Sequence, residues 1–269
     1  MDTMEWIRSR RSVRTFDGGG MKADAARAII EYADGVENPW GLPIEWRILD
    51  ARRQNLSCPV IAGTDAYIAG KLRRAPHAEE AFGYAFEKVV LHAWRMGIGT
   101  TWIAGTMDRP AFERAVDLQP GEVMPCVSPL GVPAGKMSLK ESLMRKGVKA
   151  DSRLAFSRLF FEGDFSRPLA EEAAGEIAGA LECVRWAPSA VNRQPWRAVV
   201  RGECVHFYEK KARGYVDRTG WDLQKVDMGI ALCHFALGCQ GRTLHLVMED
   251  PGLEAAEDTE YIASWVVDR

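Results

Sequence analysis

An α+β fold with an internal pseudo-twofold repeat is predicted by three observations. The order helix, loop, strand, strand, long apolar helix, strand occurs twice along the 269 residues. Two long segments, 79–97 and 222–238, carry apolar side chains on more than one helical face and read as central, buried helices. The short alternating stretches around them suit a central antiparallel or mixed sheet with helices packed about it.

The first half, 1–165, begins with a short helix that Asp2 and Thr3 can cap, with Glu5 three residues after Asp2. It runs into Arg10-Arg11-Ser12-Val13-Arg14-Thr15-Phe16, and Gly18-Gly19-Gly20 then interrupts the chain. Ala26, Ile29, Ile30 and Ala33 recur at helical spacing up to Gly35. Ile44, Trp46 and Ile48 alternate as a strand, and Ala66 to Gly70 is a second strand with a weaker pattern. In the long helix at 79–97, Phe82, Phe86, Val89, Ala93 and Met96 form the main stripe. Thr100 to Ala104 reads as a strand, and Val123 to Leu130 as extended chain broken by Pro125 and Pro129. Residues 136–168 turn basic and then aromatic with few regular signals, as expected of a long arm or crossover.

The second half, 166–269, repeats the order. Ala170 to Trp186 has Ile177, Leu181 and Val184 on one face, and Pro188 stops it. Trp196 to Arg201 and Cys204 to Tyr208 form a hairpin about Gly202-Glu203. The helix at 222–238 carries Leu223, Val226, Ile230, Cys233 and Leu237, and strands follow at Thr243 to Met248 and Tyr261 to Val267. Glu87 and Asp227 occupy similar places near the starts of the two long helices. Such a repeat is the pattern of one chain imitating a symmetric dimer. Helix and strand also alternate in unrelated α+β chains, and the pattern alone does not separate the two origins.

Composition narrows the class. Apolar residues at 47% and charged residues at 27% are those of a globular protein. A net charge of −2 gives no basic field for nucleic acid or an anionic membrane. No apolar run approaches the ~18 residues of a membrane span, and the N-terminus lacks the pattern of a signal peptide, so a cytoplasmic protein is expected. The six cysteines form no C-x-x-C pair and read as buried thiols, and the five histidines have no ligand spacing that would suggest a metal. Gly97-Ile98-Gly99-Thr100-Thr101-Trp102 begins like a dinucleotide fingerprint. The third glycine is replaced by Trp102 and the string follows a helix, so the Rossmann reading is rejected.

Two strings can carry binding chemistry. Arg10, Arg11 and Arg14 with Ser12 among them can form a phosphate cradle, because guanidinium forks match phosphate oxygens bidentately and stay charged. Three arginines in five residues can equally be a solvated face. In Pro188-Ser189-Ala190-Val191-Asn192-Arg193-Gln194-Pro195-Trp196, the two prolines stiffen a loop that presents Ser189, Asn192 and Gln194. Such a frame suits the carbonyls and N–H groups of a heterocycle edge. It also suits an ordinary Pro-bounded loop entering a strand, and physics alone leaves both open. His234 reads as a core or interface histidine and no hydrolytic triad is visible.

Taken together, Arg-Arg-Ser-x-Arg-x-Phe at 10–16, Thr101-Trp102-Ile103-Ala104-Gly105, Ser128-Pro129-Leu130-Gly131, the Pro188 to Trp196 string and Val226 to Phe235 resemble the FMN-dependent nitroreductase family. In detail the chain resembles a variant subfamily with two fused nitroreductase-like halves, over nearly its whole length. The resemblance implies a nitroreductase-like fold. It also implies NAD(P)H-driven reduction of nitroaromatics, quinones or similar small acceptors, with the flavin rather than a side chain carrying the chemistry. Arg10, Arg11, Ser12 and Arg14 would hold the flavin phosphate and ribityl chain, with Arg153 and Lys149 near a later basic pair of the family. Ile103, Ala104 and Gly105 would run beside the ring, a backbone N–H there facing flavin N5. Pro188, Ser189, Ala190, Asn192 and Gln194 would line the ring from the other half. Many members of the family have an acidic residue where Ala104 stands. The arginine string occurs only in the first half and the Pro-Ser-Asn-Gln string only in the second, so one FMN per chain and a monomeric pseudo-dimer are expected. A flavin-binding sensor or carrier without turnover would show the same motifs.

Overall fold

In the computed structural model, residues 2–217 and 220–268 are described. The chain divides into two compact units, Ser9–Lys149 and Met1–Arg8 with Ala150–Arg269. The sequence reading drew its boundary at 165/166; the units change over sixteen residues earlier, and the first eight residues belong with the C-terminal unit.

The elements in chain order are α1 (Thr3–Ser9), α2 (Ala23–Asp34), β1 (Glu45–Asp50), α3 (Ala51–Gln54), β2 (Ala66–Arg73), α4 (Ala78–Arg95), α5 (Arg109–Ala115), β3 (Glu122–Val123), β4 (Val127–Leu130), α6 (Leu139–Gly147), α7 (Phe156–Leu159), β5 (Phe160–Glu162), α8 (Ala178–Trp186), β6 (Trp196–Arg201), β7 (Cys204–Lys210), α9 (Leu223–Gly238), β8 (Leu244–Val247) and β9 (Thr259–Val267).

In the Ser9–Lys149 unit, β2 is the centre of an antiparallel sheet, paired with β1 on one side and with β3 and β4 on the other. Its weak sequence pattern follows from burial on both faces: Tyr67, Ile68, Ala69, Lys71 and Leu72 are all buried. Lys71 is tolerated there because its ammonium donates to Asp117 O at 2.8 Å and meets Glu122 at 3.0 Å. α4 lies against α2 and β2. A Cβ on Gly70 would fall 2.4 Å from the Trp46 ring, so the absence of a side chain there lets Trp46, Phe82 and Phe86 cluster. Each such buried aromatic contributes roughly 1.5–3 kcal/mol through apolar burial.

In the C-terminal unit the sheet order is β5-β6-β7-β9-β8, with β5 parallel to β6 and the other pairs antiparallel. The β6–β7 hairpin closes with Arg201 opposite Cys204, as its turn residues predict, and Gly202 takes φ 62°. α9, apolar around most of its surface, runs beside α8, β6 and β7. His234 is fully buried with Nδ1 2.9 Å from Cys183 O, a core histidine as expected.

Three segments depart from the sequence reading. Thr100 to Ala104 forms no regular strand; it makes single bridges from Thr100 to Ser12 and from Ile103 to Val127. The expected helix at 170–186 is α only from Ala178, with two 3-10 turns, Glu171–Ala173 and Gly175–Ile177, before it. Gly175 at φ 56° breaks the α geometry there. The arm at 136–168 contains α6, α7 and β5, whose shortness hides their periodicity.

Candidate functional site

The first string forms an extended segment along the edge of the Ser9–Lys149 unit. Val13 N donates to Thr100 O at 2.8 Å and Phe16 N to Ala62 O at 2.9 Å. Val13 and Phe16 are buried and fix the segment. Glycine permits the approach: a Cβ on Gly99 would sit 2.9 Å from the Val13 side chain, and one on Gly63 would sit 2.3 Å from Phe16 O. Anchored through its apolar members, the segment leaves Arg10, Arg11, Ser12 and Arg14 half-buried. Arg10 Nη1, Arg11 Nη1 and Arg14 Nε are each out of contact with solvent and have no hydrogen-bond partner among the described residues. Burial lowers the Arg10 pKa, with Glu87 opposing and Arg145 assisting. Burial also lowers that of Arg14, with Glu141 opposing and Arg145 assisting.

Arg145 and Glu141 therefore belong to this group, and the sequence reading passed over both inside its arm. They lie four residues apart on α6 and so share a face. Glu141 Oε1 is 3.7 Å from Arg11 Nη1. The available signal was Ser138-Leu139-Lys140-Glu141, a capping-box string, and Ser138 Oγ does accept from Glu141 N at 3.1 Å. Thr100, bridged to Ser12, adds a buried hydroxyl without a partner.

In the Ile103-Ala104-Gly105 segment the Ile103 amide is taken by Val127 O at 2.9 Å. Arg109 Nη2 donates to Ala104 O at 2.6 Å. That leaves the Ala104 and Gly105 amides as the segment's candidate donors.

The second string lies in the C-terminal unit and is strained. Val191, Asn192 and Gln194 take φ of 44°, 59° and 52°, left-handed values that cost non-glycine residues about 1–3 kcal/mol each. Several bonds hold them. Both Asp227 carboxylate oxygens are 3.1 Å from Ala190 N. Ser189 Oγ accepts from Gln194 N at 2.8 Å. Asn192 Nδ2 donates to Ser152 O at 3.0 Å, and Gln194 Oε1 accepts from Leu154 N at 2.9 Å. Burial pushes the Asp227 carboxyl well above its usual range, although the Ala190 N–H favours the charged form. On β7, Glu209 is fully buried with neither oxygen hydrogen-bonded among the described residues, and burial followed by Asp222 raises it to about 7. Arg153 is in this unit, apart from the arginine string in sequence and in unit. Its guanidinium donates to Ala150 O at 2.9 Å and Ser152 O at 2.8 Å, and stacks 4.9 Å from the Trp186 ring centroid. Lys149 takes φ 49° at the end of the other unit.

In the first half, the loop at 35–43 between α2 and β1 is built differently. Asn38 closes it on itself, donating to Leu42 O at 2.7 Å and accepting from Trp40 N at 3.2 Å.

Residues 2–239 match the sequence family described as "Putative TM nitroreductase". The chain belongs to this family. It is thereby an oxidoreductase of nitroreductase type. A solved "putative nitroreductase" from Thermotoga maritima is similar at 21% identity and a TM-score of 0.64, covering 99% of this chain and 94% of that one, which shows a nitroreductase-like fold. An FMN-dependent nitroreductase from Clostridium difficile is similar at 15% identity and a TM-score of 0.42, covering 52% of this chain and 94% of that one. A search of curated proteins finds no match. Among the described residues no helix is long and apolar enough to cross a membrane, and no group of three or more acidic, histidine or cysteine side chains is arranged to hold a metal.

Proposed function

We propose that the protein is an FMN-dependent, NAD(P)H-driven reductase of small electron acceptors such as nitroaromatics and quinones, binding one FMN per chain. The observation that carries this reading is the set of three buried guanidinium N–H groups, on Arg10, Arg11 and Arg14, that have no hydrogen-bond partner among the described residues. Unmet buried donors are costly, so a ligand with several anionic acceptor oxygens fits them. A phosphomonoester offers three such oxygens and close to two charges. Ser12, and the Thr100 hydroxyl bridged to it, can add neutral bonds.

Bound FMN would supply the redox chemistry, receiving hydride from NAD(P)H and passing electrons to the acceptor. The protein's own residues hold and orient. The Ala104 or Gly105 amide would be the segment's available donor to the ring. The Ser189 to Gln194 loop is kept in its left-handed form by Asp227, a rigid frame for the polar groups of Ser189, Asn192 and Gln194. The self-closed Asn38 loop, and the lack of a second arginine string, support a single flavin. We read the two units as descendants of a duplicated half, the chain acting as a monomeric pseudo-dimer in the cytoplasm.

The test is an absorbance spectrum of the purified protein with flavin quantified after denaturation, then NAD(P)H oxidation with and without an acceptor. About one FMN per chain with acceptor-dependent oxidation is expected. Two flavins per chain would remove the single-site reading. Flavin without turnover would make the protein a carrier, and no flavin after soaking in FMN would remove the cofactor assignment.

A further inference from the structure

Glu141 does not do what its position invites. At the third helical position after a serine N-cap, a glutamate ordinarily reaches back to the N-cap backbone N–H. Here Ser138 N donates instead to Thr15 Oγ1 at 3.3 Å, and the Thr15 hydroxyl also bonds Ser138 Oγ at 3.0 Å. Thr15 follows Arg14 directly, so the start of α6 is tied to the arginine segment by the bond that displaces Glu141 from its cap. The displaced carboxylate is 2% exposed, and neither oxygen accepts a hydrogen bond among the described residues. It lies 3.7 Å from Arg11 Nη1, and its charge raises the pKa of Arg14 against the effect of burial. A buried anion among guanidiniums that it does not hydrogen-bond balances their charge without satisfying their donors. Arg10 Nη1, Arg11 Nη1 and Arg14 Nε keep their unmet N–H groups with Glu141 in place.

We propose that Glu141 is the resident counter-ion of the arginine group, and that it competes with the incoming phosphate and so sets the group's affinity and charge selectivity. This rests on the reading of the arginines as a phosphate cradle. Without an anion, Glu141 offsets the charge of Arg11 and Arg14, while Glu87 acts on Arg10. A phosphomonoester dianion then enters against a carboxylate already present, and only a ligand of high charge that also fills the unmet donors gains enough to do so. A neutral ligand such as riboflavin has no stake in the exchange.

The experiment compares the full-length, flavin-stripped wild type with Glu141→Gln, which keeps shape and removes charge. Binding of inorganic phosphate and FMN is measured by titration calorimetry, riboflavin serves as the uncharged control, and melting temperature is read without ligand. Glu141→Gln should bind phosphate and FMN about tenfold more tightly, leave riboflavin affinity unchanged, and melt lower without ligand. If Glu141→Gln fails to fold, Glu141→Asp, which draws the charge back toward the helix, should bind phosphate about threefold more tightly than wild type. Wild type that binds FMN while the variant binds it equally or more weakly overturns the counter-ion role alone. Failure of wild type and variant to bind either FMN or phosphate overturns the cradle reading, and the counter-ion role with it.

Discussion

Arg10, Arg11 and Arg14 stand in a segment anchored by buried Val13 and Phe16, so the backbone holds each guanidinium where solvent cannot satisfy all its donors. On the proposed reading, Arg11→Ala would remove one charge-assisted bond to phosphate, worth about 1.5–3 kcal/mol. FMN affinity should fall roughly ten- to a hundredfold in a flavin-fluorescence titration, with riboflavin affinity unchanged. An equal loss for both ligands would move Arg11 away from the phosphate. Glu209 is the second residue whose environment dictates a measurable property. Its folded pKa of about 7 lies above the ordinary carboxylate value, so its contribution to stability is full below that value and is lost as pH rises toward 7. Each pKa unit is worth about 1.4 kcal/mol, so Glu209→Gln should gain up to about 3 kcal/mol over wild type between pH ~4.5 and ~7, and hold that gain above it. Urea unfolding at several pH values measures this, and parallel wild-type and variant curves would refute it.

Two elements rest on contacts that single substitutions can test. The arginine segment approaches its neighbours at Gly63 and Gly99, where a side chain would clash. Gly99→Ala places a Cβ 2.9 Å from Val13, and overpacking of this kind costs about 1–3 kcal/mol. It should lower the melting temperature and FMN affinity together, and a variant that loses neither would show that the segment can shift freely. The Pro188 to Pro195 loop keeps three left-handed residues through bonds that include Asp227 to Ala190 N. Asp227→Ala should free that loop, seen as faster amide exchange at 190–194 while exchange in β6 and β7 is unaltered.

For the molecule as a whole, a ligand that binds only the folded state stabilises it by about 2.7 kcal/mol at a concentration a hundredfold above its dissociation constant. FMN at that level should raise the melting temperature by about 5–10 °C, and riboflavin should do so less because it lacks the phosphate. Equal shifts for the two would mean that the arginines contribute nothing to binding.

The sequence by itself determined the elements whose signal is local. The β6–β7 hairpin, the long helices α4 and α9 and the Pro-bounded loop follow from periodicity and turn chemistry among near neighbours in the chain. The arginine string and the Pro-Ser-Asn-Gln string were legible for the same reason, and they led to the right family. Tertiary structure alone decided what surrounds them. β2 carried little pattern because both its faces are buried, and Thr100 to Ala104 makes bridges instead of a strand because its neighbours come from distant segments. Glu141 and Arg145 join Arg10, Arg11 and Arg14 because contacts such as Thr15 with Ser138 and Ala134 N with Thr15 O close more than a hundred residues of chain. No periodicity encodes such a closure. It depends on where the chain returns after the sheet is built, and that is a property of the packed unit and not of any window of its sequence.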